Sequence, residues 1–225
     1  MKLAVAALLI FFIAIGLFGI GAIPAMAEIK PKVVSLTWQL EVTVAGLRPI
    51  SIKTPGKDKA EIYWYAPYKV TNRTGDEQIF VPSFELYTNT GQVTRSGLGV
   101  PMAAFDAIQK HLNEPLLRDQ TEMTGKILQG RDNAKRGVAI FKDIDPKAGK
   151  VDLFIEGLSG ESAPVPLPMP IKVKRINDDG ETIMVEVNTI ILSKTLRLRY
   201  TLNGDYLNRT GLTARQNSKQ DWVMR

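Results

Sequence analysis

The fold of this chain is decided by residues 68–93, which run YKVTNRTGDEQIFVPSFELYTNTGQV. Two turn sequences, NRTGD and TNTG, separate runs that are rich in β-branched and aromatic residues. Turns favour Asn, Asp and Gly, whereas strands favour β-branched and aromatic residues. The stretch therefore predicts three strands joined as a meander by hairpin turns. Phe80, Phe84 and Leu86 fall on one predicted face, and Glu85 falls on the opposite face, toward solvent.

Strand patterns also surround this stretch. In residues 34–44, VSLTWQLEVTV, every second residue is apolar, which is typical of a strand with one buried face. Residues 61–71 predict another strand, and Pro67 predicts an edge position or a bulge there, because proline has no N–H to donate. Three further strands are predicted at residues 122–128, 137–143 and 151–158.

The alternating pattern is interrupted once, by a helical spacing. Residues 101–113 carry Met102, Phe105, Ile108 and Leu112 at intervals of three and four, with a proline suited to the first helical turn. One short helix is therefore predicted as an insertion between strands, with those four side chains on its apolar face.

Proline marks the last third of the chain. Residues 162–170, SAPVPLPMP, hold four prolines and predict an extended linker or a crossover along the sandwich. Residues 171–203 predict a C-terminal strand region with a turn at Asn177–Gly180. Because so few residues cannot form a separate domain, we expect this region to complete the preceding sheets. Residues 222–224 are expected to dock as a short extended segment.

The N-terminus has the composition of an export signal. Lys2 precedes an apolar run at residues 3–23. Ala25-Met26-Ala27 follows that run and places small residues at the positions that signal cleavage requires. We therefore predict a signal peptide at residues 1–27, cleaved after Ala27. The run is also long enough to remain as an uncleaved inner-membrane anchor, which is the alternative.

Composition places the remaining residues 28–225 in one domain outside the cytoplasm. The chain has 225 residues, no cysteine and a net charge of +6, which becomes +5 when Lys2 leaves with the signal. A fold without disulfides must be stabilised by an apolar core. An exported chain without cysteine favours a periplasmic or secreted protein of a bacterial envelope. The predicted fold is all-β, an immunoglobulin-like β-sandwich of antiparallel strands with one inserted short helix.

Catalytic and metal-binding patterns are weak in this sequence. His111 is the single histidine, and one histidine supplies too few ligands for a transition-metal site. No catalytic triad that would include it is evident in the sequence. No pair of carboxylates and no phosphate-binding loop is evident, so we predict no cofactor. An exported enzyme remains the alternative, with a site near the inserted helix that uses His111 with Asp106 or Glu114.

The strongest candidate for a binding surface in this sequence is a set of basic side chains. Lys172 and Lys174 share a face of one predicted strand, and Arg197 and Arg199 share a face of another. If these strands are neighbours, the four side chains line one exposed sheet face. Such a face would bind an anionic envelope polymer, lipid headgroups or an acidic envelope protein. The simpler interpretation is a solvated face or a charged edge that prevents aggregation. Export argues against nucleic acid as a partner.

The segment 68–93, followed by RGVAIF and VDLFIEGLSGE, resembles the small immunoglobulin-like domains of bacterial exported proteins and lipoproteins. The resemblance is carried by Val70-Thr71-Asn72 with Gly75 in a turn, and by Gly137 with Phe141 in a late strand. The ending TLRLRYTLNGDY and the terminal DWVMR are similar to exported proteins of planctomycete type. The resemblance covers residues 34–225 and implies an extracytoplasmic sandwich that mediates contacts, without a catalytic residue.

Overall fold

The computed structural model describes residues 38–205, 207–217 and 220–225, so the predicted signal peptide and the possible anchor at residues 3–23 lie outside the described residues. The described residues are mostly strands, which confirms the all-β prediction. The strands are β1 (Glu41–Val44), β2 (Arg48–Ile52), β3 (Glu61–Thr71), β4 (Gln78–Phe80), β5 (Ser83–Thr88), β6 (Val93–Arg95), β7 (Gly125–Ile127), β8 (Lys135–Lys142), β9 (Lys150–Glu156), β10 (Ser162–Ile176), β11 (Thr182–Asn203), β12 (Thr213–Gln216) and β13 (Asp221–Met224). The helices are α1 (Met102–Leu112) and α2 (Gln120–Met123), with short 3-10 turns at Arg131–Asn133 and Arg209–Gly211.

Two antiparallel sheets form the body. In the first sheet, β1 and β2 lie end to end along one side of β3, and β8 pairs along the other side. In the second sheet, the strand order is β10-β11-β9-β5-β6, and the short strands β12 and β13 also pair with β11. A third, two-stranded sheet pairs β4 with β7.

The main core lies between the two large sheets. One cluster of buried side chains joins residues from both, including Trp64 and Phe141 from the first sheet and Phe84, Leu153 and Leu198 from the second. These side chains recur at every second position of their strands, as expected when one face of each sheet is covered. The alternation that the sequence shows over residues 38–44 is confirmed, because Leu40 is buried and its neighbours Gln39 and Glu41 are exposed.

A second, smaller core lies on the outer face of the first sheet. Tyr63 and Tyr65 of β3 point to this side, where α1 covers them with Ala104 and Ile108. β3 is therefore buried on both faces, which explains why its sequence is almost continuously apolar. The inserted helix is confirmed, but Met102, predicted on its apolar face, is 61% exposed.

The prediction that Pro67 marks an edge position or a bulge is wrong, because β3 is the central strand of its sheet and its register with β8 runs through Pro67 without a shift. Its partners explain how proline is tolerated there. β1 ends opposite Tyr68 and β2 begins opposite Tyr65, so the ladder on that side of β3 is interrupted at Pro67. The Pro67 carbonyl accepts from the Ala45 N–H at 2.8 Å there, and no carbonyl is left waiting for the N–H that proline lacks. The missing N–H therefore interrupts no ladder hydrogen bond.

The predicted three-stranded meander is only partly confirmed. β5 and β6 form a hairpin across the second turn, but β3 does not pair with the strand that follows it. The run that contains Phe80 and Phe84 divides at Pro82 into β4, which pairs with β7, and β5, which enters the second sheet. Glu85 was also predicted wrongly, since only 8% of it is exposed.

The turn NRTGD is a structural element in which the Asn72 side chain is fully buried. Its amide nitrogen donates to the carbonyl oxygens of Asp76 and Ile127, both at 2.8 Å. Its carbonyl oxygen accepts from the Thr74 amide at 3.0 Å and from Gln129 Nε2 at 3.0 Å. Asn72 thus joins the turn to β7, as a buried amide with every hydrogen-bonding atom satisfied.

The last third of the chain departs most from prediction. Residues 162–170 form no linker or crossover, because they are the first part of the long strand β10. β10 pairs with the first half of β11, and the predicted turn at Asn177–Gly180 joins the two strands. Only the second half of β11 completes the second sheet, between β9 on one side and β12 and β13 on the other. The predicted docking of residues 222–224 is confirmed in β13.

Candidate functional site

The candidate site is a two-stranded ribbon, defined here as residues 162–193. No side chain in the ribbon is buried; each is either half-buried or exposed. Of the fifteen large hydrophobic side chains that are exposed among the described residues, seven lie in the ribbon. Those seven are Met169, Ile171, Ile176, Ile183, Met184, Ile190 and Ile191. An exposed apolar concentration of this kind marks a surface for contacts.

The register of the ribbon is continuous except at one bulge. Pairs run from Ser162 opposite Ser193 to Pro166 opposite Thr189, and then from Ile171 opposite Val187 to Ile176 opposite Thr182. Residues 167–170 therefore lie opposite the single residue Asn188. An insertion of this size bends the strand that carries it, so the ribbon has two straight halves and a bend between them.

At the root of the ribbon, a largely buried ion pair joins the residues that directly flank its two strands. Glu161 accepts from Lys194 Nζ at 2.9 Å, and the two side chains are 6% and 15% exposed. The Lys194 ammonium group also lies 5.3 Å from the centre of the Trp222 ring. The backbones of Ser193 and Arg225 exchange two hydrogen bonds of 2.8 and 3.1 Å. These contacts tie the root of the ribbon to the C-terminal strand.

Arg225 links this root to the adjacent strands of the second sheet. Its guanidinium group lies 4.8 Å from the centre of the Tyr87 ring and 4.4 Å from that of Phe154. It also donates to Glu85 Oε2 at 2.5 Å, while Arg95 donates to Glu85 Oε1 at 2.7 Å. Burial acts to raise the pKa of Glu85, but the hydrogen bonds from Arg225 and Arg95 outweigh it, and the pKa lies below its ordinary value.

The two edges of the ribbon differ in their hydrogen-bonding groups. On β10, Pro164 and Pro166 lie opposite Ile191 and Thr189. Proline fits an antiparallel ladder only where its nitrogen points away from the paired strand, so these positions face the outer edge of β10 without a donor. On β11, no proline occurs between residues 182 and 191, and no described strand pairs with that outer edge before Ser193.

The four predicted basic residues do not form one face. Lys172 and Lys174 lie in the outer half of the ribbon, opposite Glu186 and Met184. Arg197 lies eleven residues beyond Glu186 on β11, which is about 35 Å along a strand. The strands are neighbours, as the prediction required, but their register separates the lysines from the arginines.

Arg197 and Arg199 both bind the carboxylate of Asp221, so the chain itself supplies their anion. Asp221 Oδ2 accepts from Arg197 Nε at 3.2 Å and from the terminal nitrogens of Arg197 and Arg199 at 2.5 and 2.6 Å. These hydrogen bonds lower the pKa of Asp221, because they stabilise its charged form. Binding of an external anion at this position would have to compete with Asp221, and it stays an untested prediction.

The residues of the alternative, enzymatic interpretation are not assembled into a site. His111 and Asp106 are exposed, and Glu114 pairs with Arg136 at 3.1 Å. The His111 ring contacts the edge of the Tyr65 ring at a centroid distance of 6.3 Å, and its nitrogens make no hydrogen bond within the described part of the chain. It lines a cavity of about 460 Å³ that has no carboxylate in its wall. A base without an orienting partner does not meet the geometric requirement for a catalytic triad.

Metal-binding and membrane-spanning features can be stated for the described residues only. Among them, no group of three or more His, Asp or Glu side chains is arranged to hold a metal ion. None of their helices has both the length and the hydropathy needed to cross a membrane.

Similarity to known proteins adds no further assignment. No protein-family model matches the chain, and no curated protein or solved structure matches it significantly.

Sequence reasoning missed the ribbon because it interpreted the prolines of residues 162–170 as a linker. A signal was available in the spacing around the turn at Asn177–Gly180. Apolar residues alternate on both sides of it, at Ile171 and Val173 before the turn and at Val185 and Val187 after it. Alternation on both sides of a turn predicts a hairpin, and the strand before the turn then extends back through the prolines.

Proposed function

We propose that this protein is an exported, non-catalytic binding or structural module of the bacterial envelope, and that the ribbon is its contact element. The observation that carries the proposal is that the 32 residues of the ribbon bury no side chain. Ordering a residue costs about 1–2 kcal/mol of conformational entropy, which burial normally offsets. Within one copy of the chain, burial offsets little of the conformational entropy that is lost when the ribbon is ordered. We therefore infer that the ribbon serves to contact another molecule.

The body is proposed to be a variant of the immunoglobulin-like sandwich. Two antiparallel sheets enclosing one core support this proposal, as does the position of α1, outside the sandwich on the first sheet. The body would then be the rigid support, and the ribbon would be the addition specific to this chain.

The proposed location is outside the cytoplasm, periplasmic or secreted, after cleavage of residues 1–27. The alternative is an inner-membrane accessory subunit that keeps residues 3–23 as its anchor. Trp38, the first described residue, accepts a backbone hydrogen bond of 3.2 Å from Gly160, two residues before the ribbon. An anchored chain would therefore hold the ribbon root within 14 residues, about 50 Å, of the end of the anchor. The intact mass of the native protein distinguishes the two cases.

A protein is the favoured partner, rather than an anionic polymer. Lys172, Lys174 and Arg175 remain as exposed cations on the ribbon, but Glu186 lies opposite Lys172 and the turn carries Asp178 and Asp179. A surface of mixed charge and exposed apolar side chains has the composition of a protein interface more than that of a polyanion site.

The experiment that tests this function compares the full chain with a chain in which residues 166–189 are replaced by Asn-Gly. The pair Val165 and Ile190 then flanks a two-residue hairpin turn, and the body loses no buried side chain. Both chains are cross-linked in washed cells at low and high salt, and the products are sized.

We expect a cross-linked product larger than the monomer for the full chain at both salt concentrations, and its loss from the shortened chain. Near-ultraviolet circular dichroism of both chains controls for an intact body. An unchanged product from the shortened chain would exclude the ribbon as the contact element. A product lost only at high salt would point instead to an anionic polymer that binds the exposed cations.

A further inference from the structure

The direction of the backbone amides along β11 follows from its two neighbours at the root. Ser193 exchanges hydrogen bonds with Arg225 on one side, and Lys194 donates its backbone N–H to the Glu161 carbonyl at 2.9 Å on the other side. Successive residues of a strand direct their N–H and C=O groups to opposite sides. Odd-numbered residues of β11 therefore point away from β10, and this agrees with the position of Pro164 opposite Ile191.

The outer edge of β11 consequently presents five unpaired backbone positions within the described part of the chain. Each carries both an N–H and a C=O group, since none is proline. These positions are Ile183, Val185, Val187, Thr189 and Ile191. Long open edges promote pairing with another chain, and proteins usually block them with proline, lysine or a bulge. β10 has prolines at outer-edge positions and carries two lysines and a bulge along its length, whereas β11 has no proline, lysine or bulge between Ile183 and Ile191.

The open edge is bounded at both ends. Ser193 is already paired with Arg225, and the strand begins at Thr182, directly after the turn. The positions from Ile183 to Ile191 have Val187 at their centre. When two such edges from two copies pair antiparallel, every free position is used only if Val187 of one copy lies opposite Val187 of the other.

Side-chain chemistry selects the same register. With Val187 on the two-fold axis, Val185 lies opposite Thr189, Ile183 opposite Ile191, and Met184 opposite Ile190. Glu186 then lies opposite Asn188 of the second copy. A shift of the axis to residue 186 would place Glu186 opposite its own copy, and like charges opposite each other destabilise a sheet. A shift to residue 188 would place Ile183 opposite Ser193, which is already paired with Arg225.

We propose that the partner of the ribbon is a second copy of this chain, and that the two β11 edges pair antiparallel about a two-fold axis through Val187 to form a continuous four-stranded sheet. This inference rests on the proposed function, because it names the partner at the same ribbon. Such an interface is isologous and closes at two copies. The prolines on the outer edges of both β10 strands prevent the sheet from growing into a fibre.

The size of the contact predicts a reversible dimer. Five paired positions, with two hydrogen bonds each, give about ten backbone hydrogen bonds, close to the number in an ordinary protein interface. The area is small, because a ribbon edge covers far less than the roughly 800 Å² per partner of a stable complex. We therefore expect association in the micromolar range, which dilution reverses.

Single cysteines test the register directly, since the native chain has none. Two cysteines at a hydrogen-bonded antiparallel pair have Cα atoms about 5.5 Å apart, within the range that a disulfide spans. The full chain with Val187→Cys should cross-link to itself under mild oxidation. Val185→Cys and Thr189→Cys should each stay monomeric alone and should cross-link when mixed. Val173→Cys, on β10 of the same ribbon, is the matched control and should not cross-link.

A second measurement avoids oxidation. Sedimentation of the native full chain should rise from monomer toward dimer between about 1 and 300 μM. Val187→Lys and Val187→Glu should each weaken association at least about tenfold, because each places like charges on the axis. A mixture of the two variants should restore association, since the opposite charges then face each other.

The outcomes separate this inference from the proposed function. Equal cross-linking by Val173→Cys, or a monomer at every concentration, would overturn the second copy as partner. If the ribbon-dependent product in cells also had a mass other than twice that of the chain, the proposed function would stand with a different partner. Specific cross-linking by Val187→Cys, together with a product in cells that does not depend on the ribbon, would overturn the proposed function alone.

Discussion

The two halves of β11 are one strand in two different environments. From Lys194 to Asn203 the strand is flanked by β9 on one side and by β12 and β13 on the other, and it buries Leu196, Leu198 and Tyr200. From Thr182 to Leu192 it pairs with β10 alone and buries nothing. The second half alternates, whereas the first half contains continuous apolar runs at residues 183–185 and 190–192. The first half is therefore at least as apolar as the second, and composition alone does not show which half is buried.

The difference shows that a strand gains stability from what covers it. Burial in the body raises the pKa of the Tyr200 hydroxyl to about 12, since the charged form cannot be solvated there. No comparable environment exists in the ribbon, where Ile191 is 64% exposed. A two-stranded ribbon is marginal on its own in water, so the ordering of this one depends on its root and, in our proposal, on a second copy of the chain.

The largest expected effect compares truncations in the two halves of this strand. Leu198→Ala should lower the free energy of unfolding by about 2–5 kcal/mol, because it leaves a cavity in the main core. Ile191→Ala, seven residues earlier, should change it by less than about 0.5 kcal/mol at concentrations where the chain is monomeric. Urea unfolding measures both. A large loss for Ile191→Ala in the monomer would show that the ribbon packs on the body.

The second-largest effect on stability is expected at the ion pair between Glu161 and Lys194, at the root of the ribbon. Glu161→Gln should cost about 2–3 kcal/mol, since it leaves the Lys194 ammonium group largely buried without its carboxylate. Glu77→Gln is the matched control, because Glu77 pairs with Lys126 at 3.2 Å on an exposed surface. Its cost should be below about 1 kcal/mol. Equal losses in the two variants would mean that the root ion pair contributes no more than a surface pair.

Strands that have one covered face could be predicted from the sequence, and so could α1. The strand predicted at residues 122–128 is confirmed only in β7, because α2 occupies residues 120–123. Residues 38–44 and 151–156 alternate cleanly, because solvent covers one of their faces. β3 could not be placed correctly, since burial on both faces removes the alternation and the tolerance of Pro67 depends on a gap between two other strands. The burial of Glu85 depends on Arg225, 140 residues away in sequence, which no local pattern reveals.

The candidate site was predictable only in part. Lys172 and Lys174 were predicted on one strand and Arg197 and Arg199 on another, with adjacency left as a condition. The two strands are neighbours, but their register depends on the position of the turn and on a bulge. A difference of eleven residues along β11 separates the two pairs, and Asp221 arrives beside the arginines from the far end of the chain. Pairing register is set by tertiary contacts, and the sequence specifies it weakly where neither face is buried.

A pH titration tests the Glu85 cluster. Because the folded-state pKa of Glu85 is lowered, its ion pairs contribute stability above its ordinary value of 4.5, and this stability is lost as the pH falls through the folded-state value. Glu85→Gln should cost about 1–2 kcal/mol at pH 7 and progressively less below pH 4.5. The cost is smaller than at the root, since the side chain of Arg95 is 71% exposed and water can solvate it when Glu85 is neutral.

The control is Glu41→Gln, because Glu41 pairs with Arg73 in an exposed position. It should leave the dependence of unfolding on pH close to that of the native chain. If Glu85→Gln shows the same slope between pH 3 and 5 as the native chain, the depressed pKa does not contribute to folding.

The smallest effect on stability should come from Asp221, where the structure and the predicted basic face disagree. Asp221→Asn should cost less than about 1 kcal/mol, since Asp221, Arg197 and Arg199 are all partly exposed. It should also free two guanidinium groups, so the chain should elute from a sulfated polysaccharide resin at higher salt. Asp132→Asn makes the same change in net charge in an exposed turn and should shift elution less. Equal shifts would show that net charge alone sets retention, and that Arg197 and Arg199 form no anion site even when Asp221 is removed.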